Sequence, residues 1–181
     1  MIDKKRLSIG LSGCLLQYAI LLSLCAAPAF ASTQQVFGWV EEGLILPENL
    51  AVKFKLDTGA LTSSMHAEDI ERFQKNGEDW VRFNIELQDI ATNKQVNTQF
   101  ERQVERAIKV RGAGGAERRP VVLMKICLGD QVYEEQFSLN DRDRMNYPVL
   151  VGRRTLEKVG LVDSNKTFTA KPDCSKSASS T

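Results

Sequence analysis

The stretch Phe54–Ala67, FKLDTGALTSSMHA, carries one acid, Asp57, behind apolar Leu56 and ahead of Thr58, Gly59 and Ala60. A carboxylate at the end of an apolar strand has to be paired, because an unpartnered buried charge is costly. Small residues after it let a second backbone element come close. Two chemistries fit. The acid can close an Asx-turn, or it can hold a partner group that lies elsewhere in this chain or outside it.

A second stretch, YPVLVGRRTLEKVG from Tyr147 to Gly160, supplies an apolar strand, then Gly152 and Arg153, then a short helix ending at Gly160. Gly152 lies 95 residues after Asp57. A third, Val110–Pro120 (VRGAGGAERRP), is glycine-rich between two strand patterns. It lacks the Lys-Ser/Thr of a P-loop and the third glycine of a dinucleotide fingerprint, which argues against ATP. By its residues alone it reads as a plain surface hairpin loop. His66 is the only histidine. With no HExxH and no paired cysteine knuckle, one histidine among scattered acids is not a catalytic zinc set, so no metal is expected.

These residues need strands to position them. Val36–Val40, Leu44–Ile45 and Val52–Leu56 read as short strands, with a turn at Pro47–Asn49. Residues 67–77 (AEDIERFQKNG) read as a short helix with a glycine stop, from Ile70 and Phe73 three apart and acids early. Trp80–Ile90 alternates, with Val81, Phe83, Ile85 and Leu87 on one face and Arg82, Asn84 and Glu86 on the other, and predicts a strand. Gln95–Val110 is read as extended. The runs PVVLMKICLG and QVYEEQFSL flank Gly129-Asp130, the two-residue turn of a hairpin. About eight strands and two short helices make a mainly β domain, a compact barrel or sandwich.

Taken together, LDTGA and VLVGRRTLEKVG resemble the active-site loop and the strand–helix element of retropepsin-like aspartic proteases. DTGALTSSMHA, WVRF, ERRPVV and DRDRMNYPVLVGR, in order along the chain, resemble a bacterial family once described as ATP-dependent zinc proteases. Its members occur near or fused to RimK-type ligases and have since been viewed as retropepsin-like. The resemblance implies an acid-protease barrel with two short helices. It implies Asp57 as the catalytic acid, Thr58, Gly59 and Ala60 as its loop, and Gly152 and Arg153 as loop support; for the glycine-rich stretch it offers, beside the plain hairpin, a flap over the cleft with Gly112, Gly114 and Gly115 as hinges and Arg111, Glu117 and Arg119 on the rim. The mechanism needs two carboxylates sharing one proton. With one Asp-Thr-Gly in the chain, the resemblance implies a homodimer with Asp57 from each copy, acting on a peptide or protein without a cofactor. One departure stands out: Leu61 and Thr62 occupy positions where retroviral enzymes carry acids that engage the arginine. The rival reading is a noncatalytic peptide-binding or regulatory module on the same fold.

The start of the chain has another role. Lys4, Lys5 and Arg6 precede an apolar run to about Ala27, and Ala29-Phe30-Ala31 fits a signal-peptidase site. Residues 1–31 are read as a secretory signal, 32–170 as the domain and 171–181 as a flexible, polar tail. The protein is then periplasmic or secreted, the alternative being an inner-membrane anchor. Losing Asp3, Lys4, Lys5 and Arg6 with the signal leaves 21 basic and 22 acidic residues, a balance that gives no sign of nucleic-acid binding. Cys127 and Cys174 remain, and the sequence leaves a disulfide and two free thiols equally open.

Overall fold

The computed structural model describes residues 34–112 and 115–175; the expected signal peptide lies outside them. Eleven strands and one helix follow in order. They are β1 Val36–Ile45, β2 Leu50–Leu56, β3 Ser63–His66, β4 Glu68–Lys75, β5 Glu78–Gln88, β6 Gln95–Gln103, β7 Arg106–Gly112, β8 Gly115–Leu128, β9 Gln131–Asn140, β10 Val149–Val151, α1 Arg153–Val159 and β11 Leu161–Thr167.

The expected β fold is present, and the pairings show why it is a barrel. The large sheet runs β11-β1-β2-β10-β3-β9-β8-β7, and β1 also pairs with β8. That extra pairing closes β1, β2, β10, β3, β9 and β8 into a ring, leaving β11 and β7 outside it. Closure leaves the six ring strands paired on both sides, with only β11 and β7 ending the sheet. Alternate residues of these strands point inward: Phe37, Phe54, Leu56, Met65, Ile126, Leu128, Phe137, Leu139, Val149 and Val151 are all buried. A separate three-stranded sheet, β4-β5-β6, contributes Val81, Phe83, Ile85 and Phe100 to the same core, with the Phe83 and Phe100 rings stacked at 5.5 Å.

Three expectations change. Val36–Val40 and Leu44–Ile45 are one strand, β1. Residues 67–77 are not a helix; most of them form β4. Lys75 faces Glu78 across Asn76-Gly77, whose φ angles of 56° and 81° make the two-residue turn that Asn-Gly favours. The three-residue spacing of Ile70 and Phe73 comes from a bulge: Glu68 faces Asn84 and Glu71 faces Arg82, so one extra residue sits between. Consequently one helix, not two, is found among the described residues.

Gln95–Val110 is extended as expected, in β6 and β7, and Leu128 faces Gln131 across the Gly129-Asp130 turn. Cys127 and Cys174 form a disulfide, which settles the open choice. It ties the chain after β11 to β8, and Asp173 N–H donates to the Gly129 carbonyl beside it. A second tie is buried Glu41 on β1. Its carboxylate accepts Gly38 N–H at 2.6 Å, Thr169 N–H at 3.0 Å, Thr169 O–H at 2.6 Å and Ala170 N–H at 3.2 Å. No helix among the described residues is long and apolar enough to cross a membrane.

Candidate active site

Asp57 follows directly on β2. Strand alternation turns Phe54 and Leu56 into the core and sends Lys55 and Asp57 to the other side. The Asp57 N–H donates to the Val151 carbonyl at 2.8 Å, continuing the parallel β2–β10 ladder. The chain then turns. Gly59 N–H donates to Asp57 Oδ1 at 2.9 Å, and Ala60 N–H reaches the Asp57 carbonyl at 3.3 Å. This is the Asx-turn of the plainer reading, and it also holds the carboxylate in one orientation.

The loop rests on the start of α1. Arg153 N–H donates to the Ala60 carbonyl at 2.9 Å and Arg154 N–H to the Leu61 carbonyl at 3.3 Å. Arg153 Nη1 donates to the carbonyls of Thr58 at 3.0 Å and Gly59 at 3.3 Å. Without acids at 61 and 62, the arginine therefore braces the loop through its backbone. Thr58 and Gly59 are exposed, and Leu61 is half exposed beside them.

Gly152 is buried against this loop. A Cβ there would lie 2.8 Å from the Thr62 carbonyl carbon and 3.0 Å from Ser63 N. Its N–H donates to Ser63 Oγ at 3.0 Å, and Ser63 Oγ pairs with Thr155 Oγ1 at 2.8 Å. Nothing in the sequence singles out Thr155, and Ser63 is one of several small residues that follow the acid. A serine six residues past the acid carries no distinctive signal until the crossing of β3 and α1 is known.

Asp57 has cationic neighbours. Lys55 Nζ lies 3.1 Å from Oδ2. Burial works to raise the Asp57 pKa, but Lys55 and the N–H groups of Gly59 and Ala60 outweigh it and hold the group below the ordinary aspartate value. Arg142, which the sequence alone does not single out, is buried. It donates from Nε to the Tyr147 carbonyl at 3.2 Å and from Nη1 to Ser64 Oγ at 3.4 Å. Burial and then the charge of Arg119 push its pKa below the usual arginine value, while Asp57 acts in the opposite direction. Among the described residues no second carboxylate bonds to Asp57.

The glycine-rich stretch forms the end of the β7–β8 hairpin. Arg111 faces Ala116, Gly112 faces Gly115, and Glu117 bonds Arg119 at 2.8 Å. Gly114, the middle hinge of the flap reading, falls outside the described residues.

His66 collects Glu68 and Asp143 around Nε2, at 3.0 and 3.4 Å. The ring's chemistry decides whether these three suit a metal such as zinc. Nδ1 accepts the Arg142 backbone N–H at 3.0 Å, so it carries no proton. The neutral ring then has its proton on Nε2, pointing at the two carboxylates, with no lone pair there to offer an ion. The trio does not fit a zinc site. It is a hydrogen-bonded clasp that folds residues 140–148 round the imidazole.

Comparison with known proteins places this geometry in context. Residues 36–173 match the model of the RimB-like family, described as retropepsin-like aspartic endopeptidase RimB. A protein of Shewanella pealeana described as "Probable alpha-L-glutamate ligase" is 35% identical over 119 residues, 65% of this chain and 26% of the relative. One of the same description from Desulfotalea psychrophila is 34% identical over 113 residues, 62% of this chain and 24% of the relative. The chain thus spans about a quarter of the length of the curated relatives it matches. The crystal structure of Lpg0085, a Legionella pneumophila protein of unknown function, superposes with a TM-score of 0.64 at 35% identity, covering 75% of this chain and 98% of that one.

Proposed function

The chain belongs to the RimB-like family of retropepsin-like aspartic endopeptidases, and from that premise we propose that it is an exported aspartic endopeptidase working as a homodimer. One observation carries the reading. Asp57 is held in a defined orientation on a loop braced by Arg153 and seated over Gly152, partly open to solvent, and lacks a carboxylate partner within the described protomer. A second copy would supply the other Asp57 across a two-fold axis. The deprotonated member of the pair would take a proton from water, and the protonated one would donate to the scissile carbonyl oxygen. The cations Lys55, Arg142 and Arg153 at or near the loop suit a substrate carrying carboxylates, in keeping with relatives described as probable alpha-L-glutamate ligases. Export is supported by the signal-like start and by the Cys127–Cys174 disulfide, which an oxidising compartment allows.

The test is Asp57→Asn. Peptide cleavage should be abolished, while sedimentation and thermal melting stay close to wild type, because the amide is nearly isosteric. Wild-type cleavage by this variant would refute the aspartic mechanism. The Lys55–Asp57 ion pair favours a second reading, a noncatalytic peptide-binding module, since it neutralises the acid. Peptide binding without cleavage by either protein would establish that reading instead.

A further inference from the structure

A shared proton needs one of two facing carboxylates to be neutral. The surroundings of Asp57 oppose this. Oδ2 lies 3.1 Å from the Lys55 ammonium, and Oδ1 accepts the Gly59 N–H at 2.9 Å. Both contacts favour the anion. Arg142, from the segment after β9, adds positive charge, and Arg119 on β8 lies close enough to act on Arg142. Arg153 on α1 is engaged with the Thr58 and Gly59 carbonyls. Among the described residues, Lys55 is the one of these cations that forms an ion pair with the carboxylate. Strand alternation places it there, because residues two apart on β2 share a face.

We propose that Lys55 is a regulatory residue of the Asp57 pair, restraining it in each protomer so that the shared proton forms only in mildly acidic solution. The proposal rests on the dimeric protease reading and deepens it. In a symmetric dimer two ammoniums would face two carboxylates, and the pair would stay doubly ionised at neutral pH. Acidification supplies the proton, and Lys55 then has less reason to stay on Oδ2. The direction follows from the sign of the interaction. A cation lowers the pH at which the pair takes up its proton, so removing it extends activity toward higher pH. At 3.1 Å, with the dielectric of water because both side chains are partly exposed, the interaction corresponds to about a tenfold change.

The experiment compares wild type, Lys55→Met and Lys55→Arg. The first measurement is the titration of the Asp57 carboxylate by carbon-13 NMR. The second is kcat/KM for peptide cleavage against pH, with melting curves as a check on folding. Lys55→Met should titrate at higher pH than wild type and cleave about tenfold faster on the alkaline side of the profile. Lys55→Arg, which keeps the charge, should restore wild-type behaviour in both. A Lys55→Met titration that coincides with wild type overturns the proposal whatever the activity, as does an unchanged pH profile. If the titration moves but none of the three proteins cleaves, the protease reading fails, and Lys55 is left as an ion-pair partner with no role in regulation.

Discussion

Gly152→Ala tests the structural heart of the site. Gly152 has φ −89°, which any residue adopts, so backbone strain plays no part and the whole effect is steric. The new Cβ would stand 2.8 Å from the Thr62 carbonyl carbon and 3.0 Å from both Ser63 N and Thr62 O, where ordinary contacts begin near 3.4 Å. Backbone must therefore move by about 0.6 Å, and it is the backbone joining the Asp57 loop to β3. Overpacking of this kind costs about 1–3 kcal/mol. The same movement stretches the buried Gly152 N–H to Ser63 Oγ bond and its link to Thr155, adding about 1 kcal/mol. The expected loss is about 2–4 kcal/mol, read as a lower denaturant midpoint with an unchanged slope. Gly77→Ala is the control. Its Cβ meets open space but φ is +81°, so it should cost about 1 kcal/mol and leave the Asp57 titration untouched. Should Gly152→Ala be as stable as wild type within about 0.5 kcal/mol, the close crossing of α1 and the Asp57 loop is wrong.

Opening the disulfide with Cys174→Ser should cost about 4 kcal/mol, the chain entropy released from a closed loop of 47 residues, and thermal melting with and without reductant measures it. Zinc should leave the melting temperature unchanged, because His66 presents N–H rather than a lone pair to Glu68 and Asp143; a zinc-dependent rise reversed by a chelator would contradict the assigned tautomer. Protein recovered from the periplasm should begin at or near Ser32 by N-terminal sequencing, and a membrane-bound chain retaining Met1 would make this an anchored domain.

How the site comes together shows where local information ends. Alternation in Glu78–Gln88 determines that strand, because a side chain's face follows from its position modulo two. The Asp57 loop and the Gly152–Arg153 element were legible for a related reason: a turn that brings backbones into contact demands small residues at particular places. Residues 67–77 were misread because a β-bulge near Asp69 imitates helical spacing, although Asn76-Gly77 already carried the hairpin signal. Only the tertiary structure decided the partners. Closure of the barrel by β1 on β8, the bond from Arg142 to His66 and the burial of Ser63 beneath Gly152 join residues 76 to 89 positions apart or strands far apart in sequence. The Lys55–Asp57 pair is different: two residues apart on one face, it was within reach of the sequence. What the sequence does not hold is that no nearer anion competes for Lys55 and no second carboxylate bonds Asp57 among the described residues, because such a vacancy depends on every chain segment that packs around the loop.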